Sequence, residues 1–365
     1  MAEFSCPVVR IGKIEKHPNA DSLSITEVEG CPVIFKTGDF QEGDTAVYVP
    51  IESVVHQQSE GGKLMPWLEW KYDGTSRIKA KKLRGVFSMG VLVKPPYVEA
   101  NDDNPSLGGW NLLEVPGENA APHLGITKWV EPEPTNTRGQ DEQAPQGFQI
   151  PVYDLEAFRK YKDLFRPGEY VAITEKVHGC NARFAFLNGS LQVGSHNRWK
   201  RRPLPGMELP KSDVWWKYAL GPGERDIRTL EQRLNHPDIV DKLCFYGEVY
   251  GQVQDLKYNV PAGVRCVMFD ILNLKTQKWL DYPDFLAVCS FLNLPFVPNL
   301  YYGQYDEKKV FELAEGLSEL GDGKCIREGV VIRPLLERQD LRHGRICFKL
   351  HGQGYLLRKG GTEAH

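Results

Sequence analysis

Apolar and polar residues alternate over short runs near the start of the chain, at positions 8–14, 24–28, 33–36 and 45–49, with turn residues between them. A period of two over four to eight residues puts one face of a strand on a core. Helical spacing is scarce over the same stretch, so the runs predict a small all-β barrel. Pro18-Asn19-Ala20-Asp21, between the first two runs, is good turn chemistry. From about residue 98 to 146 the alternation fails. Asp, Glu, Pro, Gly and Asn dominate there, with Glu131-Pro132-Glu133-Pro134 as an extreme. Such text buries little apolar surface and reads as a surface excursion followed by a linker.

The second half mixes both periods. Leu155, Phe158, Tyr161 and Phe165 have helical spacing, as do Val310, Leu313, Ala314 and Leu317. Positions 169–174 alternate and run into Glu175-Lys176, which puts Lys176 at a strand end or in the turn after it. Ala182, Phe184 and Phe186, then Asn188-Gly189, then Leu191 and Val193 predict a hairpin that ends at Ser195-His196-Asn197-Arg198. Positions 264–272, 329–332 and 345–350 predict further strands. Periodicity alone gives an α+β second domain. The expected organisation is residues 1–130 as the barrel, 131–146 as the linker and 147–365 as the second domain.

Composition narrows the choice of partners. The chain has 365 residues and a formal net charge of −3, so binding to nucleic acid would need local basic stripes. Two stretches qualify. Residues 77–84 contain Lys81, Lys82 and Arg84; residues 198–202 contain Lys200, Arg201 and Arg202 beside Trp199. Solvated faces are the usual meaning of such runs. The eight cysteines show no Cys-x-x-Cys spacing, which argues against a zinc site and for a reducing, intracellular compartment. The N-terminus lacks a signal-peptide pattern, and no apolar run nears the roughly 20 residues that cross a bilayer.

Five short motifs follow in order: Glu175-Lys176-Val177-His178-Gly179, Tyr246-Gly247-Glu248-Val249-Tyr250-Gly251, Met268-Phe269-Asp270-Ile271, Arg327-Glu328-Gly329-Val330-Val331-Ile332-Arg333 and Cys347-Phe348-Lys349-Leu350. Each alone is ordinary, and the set is more specific than any member. A lysine beside a glycine turn can attack phosphorus once its amine is neutral, although a free lysine has a pKa of about 10.4. A second cation, here Lys349, would stabilise charge building on the attacked α-phosphate. Glu328 is a candidate ligand for a divalent metal on a triphosphate. Glu248 is placed to accept hydrogen bonds from ribose hydroxyls, and Phe269 to stack on a base. Together these residues describe a lysine nucleotidyltransferase.

The set resembles the covalent nucleotidyltransferases: DNA ligases, RNA ligases and mRNA capping enzymes. His178, where DNA ligases and capping enzymes usually carry Asp, points to the RNA ligase branch. The chain looks most like the Deinococcus-type RNA ligases. Tyr153-Asp154-Leu155-Glu156, Tyr355-Leu356-Leu357, Leu124-Gly125-Ile126-Thr127-Lys128 and the stretch from Lys81 to Gly90 extend the likeness over nearly the whole chain. The resemblance implies an N-terminal OB-like barrel ahead of a nucleotidyltransferase domain built on antiparallel sheets. It implies ATP with Mg2+ or Mn2+, and sealing of 3′-hydroxyl/5′-phosphate nicks in RNA or RNA-containing duplexes. Glu175 and Arg198 join the candidate nucleotide contacts on the same ground.

Two positions depart from the pattern. Phage-type RNA ligases have two alternating lysines in the last motif, and Cys347 occupies the first of those positions, so that Lys349 acts alone or Lys359 or an arginine compensates. The Ser-Arg-Asn often found after the first motif is here Ser195-His196-Asn197-Arg198. One rival is a GTP-dependent mRNA guanylyltransferase or a DNA ligase, which close an OB domain following the last motif over the nucleotide; only residues 350–365 follow Lys349 here. The other rival is a non-catalytic RNA-binding protein with a transferase fold. Its mark would be a lost lysine or glutamate, and Lys176, Glu248, Glu328 and Lys349 are all present.

Overall fold

The computed structural model describes residues 4–95, 115–130, 141–222 and 227–359. Much of the expected surface excursion, and residues 131–140 of the expected linker, lie outside the described residues. Contacts divide the chain into two compact units, Met1–Val130 and Glu131–His365.

The first unit is built from short strands. Thr45–Val49 is flanked by Val8–Arg10 and Val91–Val93; Leu23–Val28 by Glu15–Lys16 and Cys31–Lys36; Ser53–His56 by Ile126–Lys128 and Thr75–Arg77. Lys81–Leu83 pairs with Val86–Ser88 through a turn in which Arg84 and Gly85 both have positive φ, the geometry of a two-residue hairpin loop. The alternation puts Val8, Val47, Val49, Val55 and Val93 into one buried cluster and Val33, Phe35, Ala46 and Tyr48 into another. The structure corrects three details of the all-β barrel expectation. Only Val8–Arg10 of the run at 8–14 is strand, and Glu15–Lys16 follows it as a separate short strand. Helical turns occur at Glu60–Leu64 and Ala121–Leu124. Among the described residues the sheets do not close into one continuous barrel.

The second unit carries a seven-stranded antiparallel sheet and a five-stranded sheet. The larger runs in the order Asp141–Glu142, Trp199–Lys200, Ser190–Ser195, Cys180–Leu187, Leu243–Gly251, Val264–Asn273, Lys278–Trp279. Its central hairpin turns at Asn188 and Gly189, both with positive φ. The smaller runs Glu156–Ala157, Phe348–His351, Gly329–Pro334, Tyr170–Lys176, Asn299–Gln304. One face of the larger sheet, with Ala182, Phe184, Phe245, Val249 and Met268, packs on helices Val214–Leu220, Leu230–Leu234 and Tyr282–Phe291. One face of the smaller sheet, with Val171, Ile173, Val330, Ile332, Phe348 and Leu350, packs on Phe158 and on Val310 of helix Glu307–Leu313. The opposite faces carry Lys176, Lys349 and Glu248.

Three expectations for this unit are corrected. Asp141–Glu142, read as linker, is an edge strand paired with Trp199–Lys200. The helix expected over Leu155 to Phe165 is a single turn at Phe158–Tyr161 followed by a 3-10 turn at Lys162–Leu164. Glu156–Ala157 before it is a strand lying parallel to Phe348–Lys349, the one parallel pairing between two strands of these sheets among the described residues. The strand expected at 345–350 is broken: Gly344–Arg345 pairs with Gln339–Asp340, and the sheet strand begins at Phe348.

Candidate active site

Register brings the motif residues together. Lys176 ends its strand opposite Gly329, which is in turn opposite His351; Val331 lies opposite Lys349. Paired residues point to the same side of a sheet, so Lys176, His351 and Lys349 share the face turned away from the apolar cluster. On the larger sheet Glu248 pairs with Asn181 and Val267, facing away from its own helix-covered cluster.

Two glycines permit the close fit. A Cβ on Gly179 would run into the Val249 carbonyl and lie 3.1 Å from Glu248 Cγ; a Cβ on Gly329 would run into the Leu350 carbonyl. The first lets the turn after Lys176 lie against the strand of Glu248. The second lets the residue after Glu328 pass beside the strand of Lys349.

Lys176 Nζ donates to Glu328 Oε1 at 2.6 Å. Glu328 is buried, and His351 Nε2 lies 3.4 Å from the same oxygen. Burial alone would raise the Glu328 pKa, but the Lys176 charge and the His351 hydrogen bond outweigh it and hold the carboxyl well below the usual range. Glu248 behaves in the opposite sense. Burial pushes its pKa up to about 8, opposed by Lys176 and the Gly179 N–H and reinforced by Glu328. Two carboxylates near one lysine are thus driven apart in proton affinity, a pattern that marks functional sites.

Glu328 Oε2 is a buried oxygen without a hydrogen-bond partner. A charged oxygen in that condition is costly unless a cation meets it, so the residue fits the ligand role expected of it. Among the described residues no group of three His, Cys, Asp or Glu side chains could hold a metal.

Phe269 has a structural cause for its direction. Tyr246 pairs with Asp270 and Gly247 with Met268, so Phe269 is the extra residue of a β-bulge. Bulges re-aim side chains. The Phe269 ring is half-buried, 4.7 Å from the Tyr153 ring and against the cluster of Val177, Tyr258 and Val267.

The remaining predicted residues are dispersed. Glu175, one residue before Lys176, points to the opposite side of the strand. It accepts from Ser318 Oγ and from the Glu319 N–H at 2.8 Å, and burial raises its pKa against those bonds. Arg198 Nη1 donates to Asp141 Oδ2 at 2.8 Å. Lys200 was expected on a basic stripe; instead it is buried, donating to Asp141 Oδ1 at 2.8 Å with its ammonium 4.8 Å over the Trp215 ring. Both residues of the short strand Trp199–Lys200 are buried, and Arg201 just beyond it is exposed, so the burial of Lys200 follows from its Asp141 and Trp215 partners rather than from alternation. Arg202 makes a two-pronged pair with Glu231. Lys81, Lys82 and Arg84 are exposed on the hairpin of the first unit. Its turn is held by His17 against the Leu83 carbonyl (3.1 Å) and by Asn19 Nδ2, which donates to the Arg84 carbonyl at 2.9 Å.

Several residues that hold the site had no structural role assigned to them from the sequence. His351 follows Lys349 by two on one strand face, a spacing that was available to find it. Asp270 lies fully buried between Arg333 Nη1 (3.0 Å), Arg345 Nη1 (2.6 Å) and the Tyr153 hydroxyl (2.7 Å). Burial opposes its charge, and the two arginines outweigh burial and lower its pKa. Cys347, where a second lysine was the pattern, is buried 3.9 Å from the Tyr153 hydroxyl beside those arginines.

Lys176, Lys349 and Glu248 lie on the faces of the two sheets turned away from their apolar clusters, and Glu328 pairs with Lys176 from the residue before strand Gly329–Pro334. The sequence model of the RNA ligase family matches residues 169–351, and that of an OB-fold domain matches residues 6–95. The chain belongs to the RNA ligase family. Its fold is similar to that of Naegleria gruberi RNA ligase. A variant of that protein with ATP and Mn is 21% identical, with 96% of this chain and 97% of that one covered at a TM-score of 0.73. An apo variant is 21% identical, with 98% of each chain covered at 0.74; a variant with AMP and Mn is 20% identical, with 96% and 97% covered at 0.73. Comparison with curated proteins gives no match. Among the described residues no helix is long and apolar enough to cross a membrane.

Proposed function

We propose that this chain is an ATP-dependent RNA ligase working through a lysyl-AMP intermediate on Lys176. The observation that carries the reading is the Lys176–Glu328 pair beside Glu248, with Lys349 on the same sheet face. The Naegleria gruberi ligase variants determined with ATP and Mn, and with AMP and Mn, support the choice of nucleotide and metal.

Attack on phosphorus needs the unprotonated amine, so Lys176 has to leave Glu328 and give up a proton to solvent before the new bond forms. Glu328 would hold a divalent metal, which would supply charge neutralisation on the triphosphate. Lys176 Nζ then bonds the α-phosphorus of ATP, and pyrophosphate leaves. Lys349 faces the charge that builds on the α-phosphate. The AMP passes to the 5′-phosphate of a nick, which releases Lys176, and the 3′-hydroxyl displaces AMP as the phosphodiester forms. Glu248 accepts from the ribose hydroxyls, and Phe269 stacks on the base. Arg198 exchanges Asp141 for a substrate phosphate. Glu175 serves by holding the 318–319 loop under the nucleophile's strand. Arg201, Arg202, Lys81, Lys82 and Arg84 follow the phosphate backbone, while Lys200 serves by bracing Asp141. The OB-like domain is residues 1–130, and the ligase domain that follows it takes in the edge strand Asp141–Glu142.

The test is sealing of a nicked RNA duplex carrying a labelled 5′-phosphate, with ATP and either metal. Ligation with ATP and none with GTP supports the reading; transfer of GMP to a 5′-diphosphate end would replace it with the guanylyltransferase alternative.

A further inference from the structure

His178, two residues past the nucleophile, has both ring nitrogens engaged by groups that the chemistry above does not use. The ring is buried, with Nε2 2.8 Å from Asp255 Oδ1 and Nδ1 3.0 Å from the Tyr355 hydroxyl. A carboxylate only accepts, so Nε2 carries the proton and donates to Asp255. In the neutral ring Nδ1 is then an acceptor, and the Tyr355 O–H donates to it. Burial lowers the His178 pKa against the pull of Glu328 and Asp255, in keeping with a neutral ring.

The other neighbour of Nδ1 is Glu328 Oε2, 3.9 Å away, the buried oxygen without a hydrogen-bond partner. A proton on Nδ1 would have that oxygen as an acceptor, and a small ring rotation would close the gap. We propose that Tyr355, backed by Asp255 and Arg358, is a positioning residue that holds His178 with its proton on Nε2 and so keeps the second oxygen of Glu328 open to a divalent cation. The proposal rests on the ligase reading for its consequence, not for its geometry.

The support behind Tyr355 is well made. Arg358 Nε donates to Asp255 Oδ2 at 3.1 Å, Arg358 Nη1 donates to the Tyr355 carbonyl at 2.9 Å, and its guanidinium lies 3.5 Å over the Tyr355 ring. His351, which approaches the first oxygen of Glu328, stacks on the same ring at 5.8 Å and 14°. The helical turn Gln353–Leu356 therefore reaches both oxygens of Glu328, one through His351 and one through His178. Histidines at metal sites are commonly fixed by the bond at their other nitrogen. Here the same logic would fix a histidine that leaves the metal's carboxylate alone.

Tyr355→Phe keeps the ring and its stacking and removes only the O–H. In full-length protein labelled with 15N-histidine, the wild-type His178 signals should show one neutral form protonated at Nε2, and the variant a mixture with the Nδ1-protonated form. Loss of such a supporting bond typically costs about 10–100-fold in metal affinity or activity. Half-saturating Mn2+ for single-turnover lysine adenylation should accordingly rise about tenfold or more, with half-saturating ATP within about twofold. An unchanged tautomer in Tyr355→Phe, or wild-type Mn2+ dependence, overturns the proposal. If that variant does not fold, Asp255→Ala, at a partly exposed position, should give the same mixture of tautomers. Failure of the wild type to form any adenylate would refute the ligase reading, while the tautomer measurement would still decide the geometry.

Discussion

Gly179→Ala tests how closely the site depends on one missing Cβ. Gly179 is not in the left-handed region, so the cost of alanine is steric. The new Cβ would lie 2.9 Å from the Val249 carbonyl carbon, where ordinary contact begins at 3.4 Å, and closer still to the oxygen. Backbone on both sides has to part by about 0.5–1 Å, and this separates the turn after Lys176 from the strand of Glu248. A misplacement of about 1 Å can cost roughly 100-fold in rate, so adenylation should fall about 10–100-fold. The assay is single-turnover transfer from α-labelled ATP at saturating nucleotide and metal, with thermal unfolding measured beside it. An adenylation rate within twofold of wild type in a folded variant would refute the reasoning, because the two strands would then not set the geometry of attack.

Lys349→Ala should slow both adenylation and sealing of a pre-adenylated nick by roughly 10²–10³-fold, about 3–4 kcal/mol, if its ammonium faces the α-phosphate in both steps; single-turnover rates of the two steps check this. Glu248 makes a pH prediction. Its folded pKa of about 8 lies above its ordinary value of 4.5, so between these the native state binds more protons than the unfolded one. Stability of the nucleotide-free protein from this group is therefore full below pH 4.5 and is lost as pH rises towards 8, by up to about 1.4 kcal/mol per pH unit. Urea denaturation should show that slope, and Glu248→Gln should flatten it. Asp270→Ala would leave Arg333 and Arg345 sharing Glu337 as their acidic partner; a loss of about 3–5 kcal/mol is expected, and a loss under about 1 kcal/mol in urea denaturation would contradict the account.

The parts of the fold legible in the sequence are those governed by local pattern. Strand Thr45–Val49, the Asn188-Gly189 hairpin and the end of the strand at Lys176 follow from period-two alternation and turn chemistry. The failures have tertiary causes. Asp141–Glu142 has no strand character of its own and is a strand because Trp199–Lys200 offers it an edge. Helix Tyr282–Phe291 was missed because its apolar residues lie around it rather than along one stripe. At the site, ordered motifs named the lysines and the carboxylates. Alternation within one strand separated Glu175 from Lys176, which needed the register rather than the motif, and Lys200 is buried by its pairing with Asp141 and its packing over Trp215. The Asp270 network and the His178–Asp255–Tyr355 contacts join residues up to 194 positions apart, and nothing in a single sequence marks such pairs.

The most direct measurement is the covalent state of Lys176 after incubation with ATP and Mn2+. Full-length protein should gain one AMP moiety, acid-labile and alkali-stable as a phosphoramidate, and peptide mapping should place it on Lys176. Lys176→Ala should gain none. An adduct on another residue, an adduct that persists in Lys176→Ala, or labelling by GTP but not by ATP would contradict the account.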